Sequence, residues 1–395
     1  MNLLVICQYY YPEPFRITDI CESLVEKGHD VTVLTGLPNY PEGKILENYR
    51  RGKKRNEIIN GVKVVRTFEI GRGTTKFQLF LNYISYTLSA SIKAFNLKEK
   101  FDVVLVNQLS PVMMAIPAIV YKKKYNRKIL LYCLDLWPAS LIAGGIKEGS
   151  IFYKLFFIIS KWIYSSVDSI AVTSSMFKEY FKSKLFMNIE NIQHIPQYAE
   201  DIFAEIEEKK ENRKFNFVFA GNIGEMQSVE TIVKAANEMK EKNNIMFHIV
   251  GDGSKLEECI VLSKKFKLNN IIFYGRKPIN EMPQYYSFAD AMLITLKNDK
   301  TISYTLPGKV QSYMAAHKPI IGSINGETRR VIKEAGCGYC CDADDYKELS
   351  KIILEFCDSN QQKLMGANGY DYYIKNYSKK SFISTLEESL IKLGG

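Results

Sequence analysis

The sequence predicts two successive doubly wound α/β domains, and three observations carry that expectation. The chain has 395 residues, more than a single hydrophobic core usually holds, since cores stop growing at roughly 250–300 residues. Short β-branched runs alternate with amphipathic segments, the pattern of βαβ units and parallel sheets. The alternation breaks near Pro196, passes through a charge-rich stretch at 199–213 and then restarts. The expected division is a first domain over 1–198, a linker over 199–213, a second domain over 214–376, and a terminal segment over 377–395 free to pack back on the first domain.

In the first half the expected elements begin with strand Leu3–Tyr9 and helix Ile17–Lys27. Ile17, Ile20, Cys21, Leu24 and Val25 share one face of that helix, and Gly28 ends it. Strands Val31–Thr35, Val62–Phe68, Val103–Asn107, Ile129–Leu134 and Ser169–Thr173 follow. The second half gives strands Phe215–Ala220, Met246–Val250, Ile271–Tyr274, Ala291–Thr295 and Pro319–Gly322, with helices between them and a last helix near Lys379–Leu393. Doubly wound sheets bind ligands beyond the carboxyl ends of their strands. Two such domains facing each other across a cleft would place the active site there.

Charge narrows the class of partner. Net charge is +10, and residues 1–200 hold 26 Lys/Arg against 17 Asp/Glu, while 201–395 hold 27 against 26. The first half therefore carries nearly all the excess, and an anionic partner is expected to meet it: phospholipid, a polyprenyl diphosphate or nucleic acid. No nucleic-acid recognition motif accompanies the charge, so no nucleic-acid partner is expected. The apolar stretches Phe77–Leu97 and Ile151–Tyr164 are interrupted by polar residues or too short to span a bilayer. With no basic, apolar leader ahead of Leu3–Cys7, the chain is expected in the cytoplasm. Cys337, Cys340 and Cys341 form a C-x-x-C-C cluster without a completing His or Cys pair, and are read as structural thiols rather than a metal site.

Two glycine turns carry the chemistry of the second half. Gly221-Asn222-Ile223-Gly224 follows strand Phe215–Ala220, and Gly251-Asp252-Gly253 follows strand Met246–Val250. Glycine at a strand end lets a ligand approach the backbone, and the next helix offers free N–H groups to a phosphate. Neither turn has the P-loop or dinucleotide spacing. Thr305-Leu-Pro-Gly-Lys-Val-Gln-Ser-Tyr-Met-Ala-Ala-His-Lys-Pro-Ile320 is more specific. It places Pro307 at a helix start and Lys309 in the first turn, where a cation opposes the helix dipole unless an anion sits there. Arg276 follows strand Ile271–Tyr274 and is aimed at the same edge.

The order of these pieces resembles the retaining glycosyltransferases of family 4, most of all the WbuB-like enzymes of bacterial O-antigen and capsule assembly. Tyr10-Tyr-Pro-Glu-Pro-Phe-Arg16, Gly28-His-Asp-Val-Thr-Val33 and Asp135-Leu-Trp-Pro138 extend the resemblance over essentially the whole chain. The resemblance implies a GT-B fold, a UDP-sugar held mainly by the C-terminal domain, an acceptor held by the N-terminal domain, and neither an essential metal nor another cofactor. The implied acceptor is a polyprenyl-diphosphate-linked saccharide, and an N-acetylated deoxy-sugar is common among such donors. Carried over by position, Lys309 contacts the diphosphate, Gly221 and Asn222 line the pyrophosphate loop, and Arg276 and Lys277 bound the base. Asp135 stands where many relatives place a catalytic-site His, and Arg16 follows the loop that faces the donor phosphates. Catalytic roles are thus expected of Asp135, Lys309 and Arg16, and donor contacts of Gly251 and Gly253 as well.

Departures from the family pattern accompany these matches. Many relatives carry two glutamates eight apart, where this chain has Tyr304 and Ser312. Ser312 is the donor-site position that remains, and Glu327 after strand Pro319–Gly322 is the candidate replacement carboxylate. Asn222 and Gln227 stand where relatives have Arg and Lys, so Lys309 is expected to supply the missing charge. Asp342-Ala-Asp344 mimics a metal-binding D-x-D but precedes a helix pattern, where Asp is a common cap. Aromatics and Lys over 72–100, with five cations at 122–128, suggest an interfacial helix beside a basic patch, and hence a peripheral protein on an anionic membrane. Two other readings stay open: a non-catalytic nucleotide-sugar-binding subunit, motivated by the absent glutamates, and a nucleotide-sugar epimerase.

Overall fold

The computed structural model describes residues 1–143, 145–204, 206 and 214–395. They form two compact units, one of residues 1–173, 177–195 and 383–395 and the other of 174–176 and 196–382.

The first unit begins with β1 (Asn2–Ile6), α1 (Ile17–Glu26) and β2 (Asp30–Thr35). β1 is apolar and buried at four successive positions, because it lies between parallel β2 and β5 with both faces covered. β3 (Asn56–Ile59) and β4 (Val62–Arg66) form an antiparallel hairpin. Its Asn60-Gly61 turn has positive φ at both residues, the geometry that keeps a two-residue hairpin in step with strand twist. β3 is an addition to the strands the sequence predicts. Next come α2 (Lys76–Asn96), β5 (Val103–Gln108), α3 (Ile116–Tyr125), β6 (Lys128–Cys133), the short α4 (Ser140–Ala143), α5 (Ile151–Ser166), β7 (Ser169–Val172), α6 (Ser175–Ser183) and β8 (Ile192–His194).

The strand order is β3-β4-β2-β1-β5-β6-β7-β8. Right-handed crossovers therefore put α1 on one face and α2, α3 and α5 on the other, where α3 packs against both its neighbours. The order reverses between β1 and β5, so the crevice of this sheet opens beyond their carboxyl ends. Cis peptides precede Pro12, Pro41, Pro111 and Pro138 in the loops that follow β1, β2, β5 and β6. The expected strand Leu3–Tyr9 stops at Ile6 and Val62–Phe68 at Arg66, because the residues beyond leave the ladder to build those loops.

The second unit runs β9 (Phe215–Ala220), α7 (Val229–Glu238), β10 (Ile245–Val250), α8 (Leu256–Phe266), β11 (Ile271–Gly275), α9 (Met282–Ser287), β12 (Ala291–Thr295), α10 (Gly308–Ala315), β13 (Ile320–Ser323), α11 (Gly326–Ala335), β14 (Gly338–Cys341), α12 (Tyr346–Asp358) and α13 (Gln362–Tyr377). All its strand pairs are parallel, in the order β11-β10-β9-β12-β13-β14, and the reversal falls between β9 and β12. One buried cluster covers each face of the sheet. β14, like β3 and β8 an addition to the expected strands, contains two of the clustered cysteines. Strand alternation sends Cys341 to one face and Cys340 to the other, where Cys337 also packs.

Of the linker expected at 199–213, residues 205 and 207–213 lie outside the described residues. Asp201–Phe203 form a single 3-10 turn whose buried Phe203 stacks on Tyr286 with ring centroids 4.8 Å apart. The last helix, α14 (Lys379–Gly394), starts in the second unit and from Ile383 belongs to the first. Glu387 there accepts hydrogen bonds from Lys27 at 2.6 Å and His29 at 2.9 Å.

Candidate active site

In the second unit the loops after β9, β10 and β11 are stitched edge to edge. Gly221 N donates to Val250 O at 2.9 Å, Ile223 N to Asp252 O at 2.8 Å, and Gly251 N to Gly275 O at 2.9 Å. Gly221 and Gly251 both have φ of +146°, which favours glycine. A Cβ on Gly251 would overlap the carbonyl oxygen of Gly221, and one on Gly253 would come within 2.5 Å of the Ile223 carbonyl oxygen. Tyr313 of α10 reaches under the first loop, where its hydroxyl accepts from Ala220 N at 3.2 Å and donates to Ala220 O at 3.1 Å. That contact gives the Y-M-A segment a role the sequence does not reveal: it pins the end of β9 just before Gly221.

Lys309 enters this loop from the first turn of α10. Its Nζ donates to Gln227 Oε1 at 2.6 Å, sits 4.1 Å from the centroid of the Phe219 ring, and would lie 3.0 Å from a Cβ on Gly221. The residue is half-buried, and burial pushes its pKa down to about 7. No carboxylate among the described residues pairs with it. α10 begins at Pro307 without a side-chain cap, so its first N–H groups face the same edge. Asn222 is exposed on the loop, with Glu225 beyond it held by Lys297 and, at 3.0 Å, by Lys255.

The remaining expected donor residues are less closely gathered. Arg276 is exposed just past β11 at the sheet edge, and Lys277 lies 3.9 Å from Glu281. Ser312 is buried, with its hydroxyl donating back to Gly308 O at 3.3 Å. Glu327 departs from the role of a free sugar ligand. It is fully buried, and its carboxylate accepts from Arg330 at 2.9 Å through two nitrogens and from the Ser175 hydroxyl at 2.7 Å. Burial works against the charge, but the Arg330 and Ser175 hydrogen bonds prevail and hold its pKa below the usual range. The D-x-D look-alike is likewise occupied, Asp342 by Arg329 and Asp344 by the Ser228 hydroxyl and Asn298 N. The neighbouring Asp345 caps α12.

In the first unit Asp135 follows β6. Its carboxylate accepts from the hydroxyls of Ser110 and Ser140, and Trp137 Nε1 donates to Ser110 Oγ at 2.9 Å. Burial raises its pKa despite those hydroxyls. Arg16 is the N-cap of α1 and acts electrostatically on Tyr132 of β6. Both residues lie at the carboxyl edge of this sheet.

Two carboxyls that sequence reasoning missed organise the same edge. Glu13 accepts from the backbone N–H of Asn39 at 2.9 Å, Tyr40 at 2.7 Å and Tyr10 at 3.3 Å. Glu69 is fully buried and accepts from Gln8 at 2.7 Å, Asn82 at 2.5 Å and Leu37 N at 3.1 Å. Burial raises Glu13 to about 7 and Glu69 to about 8, against the hydrogen bonds each receives.

Comparison with known proteins accounts for both units. Residues 16–197 match the Glycosyltransferase Family 4 model and residues 200–372 match Glycosyl transferases group 1. The chain belongs to the GT-B glycosyltransferases. It is 28% identical over 313 residues to the probable glycosyltransferase WbjE of Pseudomonas aeruginosa, covering 75% of this chain and 74% of that one. It is 21% identical over 334 residues to the putative colanic acid biosynthesis glycosyl transferase WcaI of Escherichia coli, covering 80% and 81%. Among solved structures, Anabaena Alr3699/HepE in complex with UDP-glucose superposes with a TM-score of 0.72 over the full length of both chains at 12% identity, a likeness of fold.

Two helices of this glycosyltransferase also carry apolar side chains outward. On α2 these are Phe77, Leu88, Ile92 and Phe95; on α5 they are Ile151, Leu155, Ile158 and Trp162, one stripe at helical spacing. Neither helix contains Asp or Glu, and each carries two lysines. Among the described residues no helix is long and apolar enough to cross a membrane. The basic patch expected at 122–128 is smaller than its sequence suggests, because Lys122 and Lys128 both pair with Asp168, at 2.7 and 3.0 Å.

Proposed function

We propose that this glycosyltransferase moves a sugar from a UDP-sugar to a polyprenyl-diphosphate-linked saccharide during surface polysaccharide assembly, with retention and without an essential metal, as a WbuB-like enzyme would. The observation that carries the proposal is the Lys309 ammonium. It is half-buried with no carboxylate partner among the described residues, laid against the positive-φ Gly221 turn and beside an uncapped helix start, the setting in which a cation awaits a diphosphate. It also reaches Gln227, one of the two positions where family members carry their own cation. The UDP-glucose complex of HepE and the colanic acid role in WcaI's name support the donor class and the pathway type.

In this mechanism the C1–O bond to the diphosphate breaks, and the acceptor oxygen bonds to C1 on the same face. The acceptor's hydroxyl proton passes to the departing phosphate oxygen. Lys309 and the Gly221–Asn222 backbone stabilise the charge that develops on that phosphate. Gly251 and Gly253 shape the loop, and Arg276 and Lys277 bound the base. Asp135, set by two serines, orients the acceptor hydroxyl, and Arg16 adds positive charge at the first unit's edge. An N-acetylated deoxy-sugar is the donor class we would screen first.

Thermal unfolding with UDP, GDP, ADP and CMP tests the donor site. A ligand at 100 times its Kd stabilises by about 2.7 kcal/mol, and UDP alone is expected to do so. If no nucleotide shifts the transition, the donor reading falls. A second reading is favoured by one observation, the occupied carboxylate of Glu327 in a chain that has Tyr304 and Ser312 at the family's glutamate positions. It describes a subunit that binds a nucleotide sugar without transfer. A UDP shift with no turnover of any UDP-sugar on lipid-linked acceptors would select it.

We also propose that the outward stripes of α2 and α5 rest on the anionic inner leaflet of the cell membrane, with the protein peripheral and on the cytoplasmic side. A helix apolar on both its faces is otherwise buried, and each lysine near such a surface adds about 1 kcal/mol. Wild-type protein should sediment with phosphatidylglycerol liposomes at low salt, and a Leu155→Glu, Ile158→Glu double variant should remain in the supernatant. Equal sedimentation of the two would remove α5 from the contact.

A further inference from the structure

We infer that Arg72 and the phenols of Tyr9, Tyr40 and Tyr83 form a subsite in the first unit for the diphosphate of a lipid-linked acceptor. This rests on the proposed acceptor role of that unit.

The argument starts from how firmly Arg72 is placed. Its backbone N donates to Asn39 Oδ1 at 3.0 Å. It lies between Gly71 and Gly73, and Gly73 N donates to Gly43 O at 2.8 Å. A Cβ on Gly71 would come within 2.8 Å of Gly43 O, and one on Gly43 within 2.6 Å of Gly73 O, so the two loops meet backbone to backbone and leave no room for side chains. Asn39 is itself fixed. Its N–H is bound by Glu13, and its side-chain amide donates to Leu37 O at 2.7 Å and to Glu69 at 3.4 Å. The two buried carboxyls, which no catalytic step uses, thus hold the loop that positions Arg72.

The guanidinium is then left with little to bind. Its Nη1 lies 3.4 Å from the Tyr9 hydroxyl, and its centre is 5.7 Å from the Tyr40 ring, which packs against Tyr9 and Phe15. No carboxylate among the described residues forms an ion pair with it. A guanidinium offers five donors in a fork suited to phosphate, and holding one half-buried without a counter-anion is unfavourable unless a ligand supplies that anion. Tyr83 lies within electrostatic reach of both Arg72 and Asp135, so the cation and the proposed acceptor-orienting carboxylate share one edge. Arg72 also precedes α2 by only a few residues. A diphosphate on a lipid anchored along the outward stripe of α2 would lie at headgroup level, beside the start of that helix.

The test measures binding of farnesyl diphosphate and of farnesol to the full-length protein in detergent, for wild type, Arg72→Gln and Arg72→Lys. Wild type is expected to prefer the diphosphate at least tenfold. Arg72→Gln should lose at least tenfold in diphosphate affinity with farnesol binding unchanged, and Arg72→Lys should fall between, keeping the charge but not the fork. The stabilisation by UDP should be the same in all three proteins, which separates this subsite from the donor reading. Diphosphate binding by Arg72→Gln within twofold of wild type, or no preference in wild type, would overturn the inference. Inorganic pyrophosphate competing as well as farnesyl diphosphate would overturn the lipid-linked assignment. So would an equal loss of sedimentation on phosphatidylglycerol vesicles, which would trace the effect to general attraction for anionic headgroups.

Discussion

Replacing Lys309 by alanine is expected to lower kcat/KM for sugar transfer by about 10²–10³-fold, the usual effect of removing one charge-stabilising donor from a reacting centre. Lys277→Ala should change it by less than about threefold. The contrast follows from the two environments. Lys277 is partly exposed at the sheet edge beside Glu281, whereas the Lys309 ammonium lies against Gln227, Phe219 and the Gly221 turn, with no acid among the described residues to neutralise it. Removing it leaves the Gly221–Asn222 backbone N–H groups without the cation beside them.

The burial of Lys309 gives a pH signature. In the free protein burial holds Lys309 near a pKa of about 7, and a bound diphosphate favours its ammonium form. Donor binding then takes up a proton above pH 7, so the KM for donor should rise as pH climbs through 7, by up to about tenfold per unit. The slope should vanish in a Lys309→Arg variant, since Arg stays charged throughout. Near-equal activity of Lys309→Ala and Lys277→Ala would sink the assignment.

How much of this could be read from the sequence differs between the two edges. The buried parallel strands were legible because strands covered on both faces are continuous apolar runs, as in Leu3–Ile6 and Phe217–Ala220. Gly221, Gly251 and Lys309 were legible as strand-end glycines and a cation at a helix start, where backbone geometry leaves a local mark. β3, β8 and β14 escaped because an exposed edge strand, a three-residue strand and a cysteine-rich strand lack that apolar signal. Glu13 and Glu69 were invisible for a different reason. They act through one asparagine and the loop it anchors, and nothing in a one-dimensional pattern announces that two acids far apart in the chain are buried around Asn39. Glu327 shows the converse. Its place after a strand looked like a ligand position, but Arg330 one turn further along α11 closes on its carboxylate. Likewise the run at 122–128 reads as five free cations until Asp168 is seen to hold two of them.

Gly251→Ala is expected to abolish most of the stabilisation by UDP while leaving the fold intact, because it strains one backbone and displaces another. Gly251 has φ of +146°, so any side chain costs about 1–3 kcal/mol from conformation alone. Its new Cβ would also overlap the carbonyl oxygen of Gly221, and Gly221 cannot retreat freely, since its N–H is tied to Val250 O and the neighbouring Ala220 is clamped by Tyr313. The turn must therefore move against Lys309, whose Nζ lies where a Cβ on Gly221 would be touched. Gly275→Ala separates strain from displacement. Gly275 also has positive φ, +67°, but a methyl group there would meet nothing within 4 Å and would project into open space. Both variants should unfold at lower temperature than wild type. Only Gly251→Ala should bind UDP at least tenfold more weakly, measured by titration calorimetry below either transition. UDP affinity in Gly251→Ala equal to that in Gly275→Ala would show that the close approach of the two glycine turns serves the fold of the second unit and not its donor.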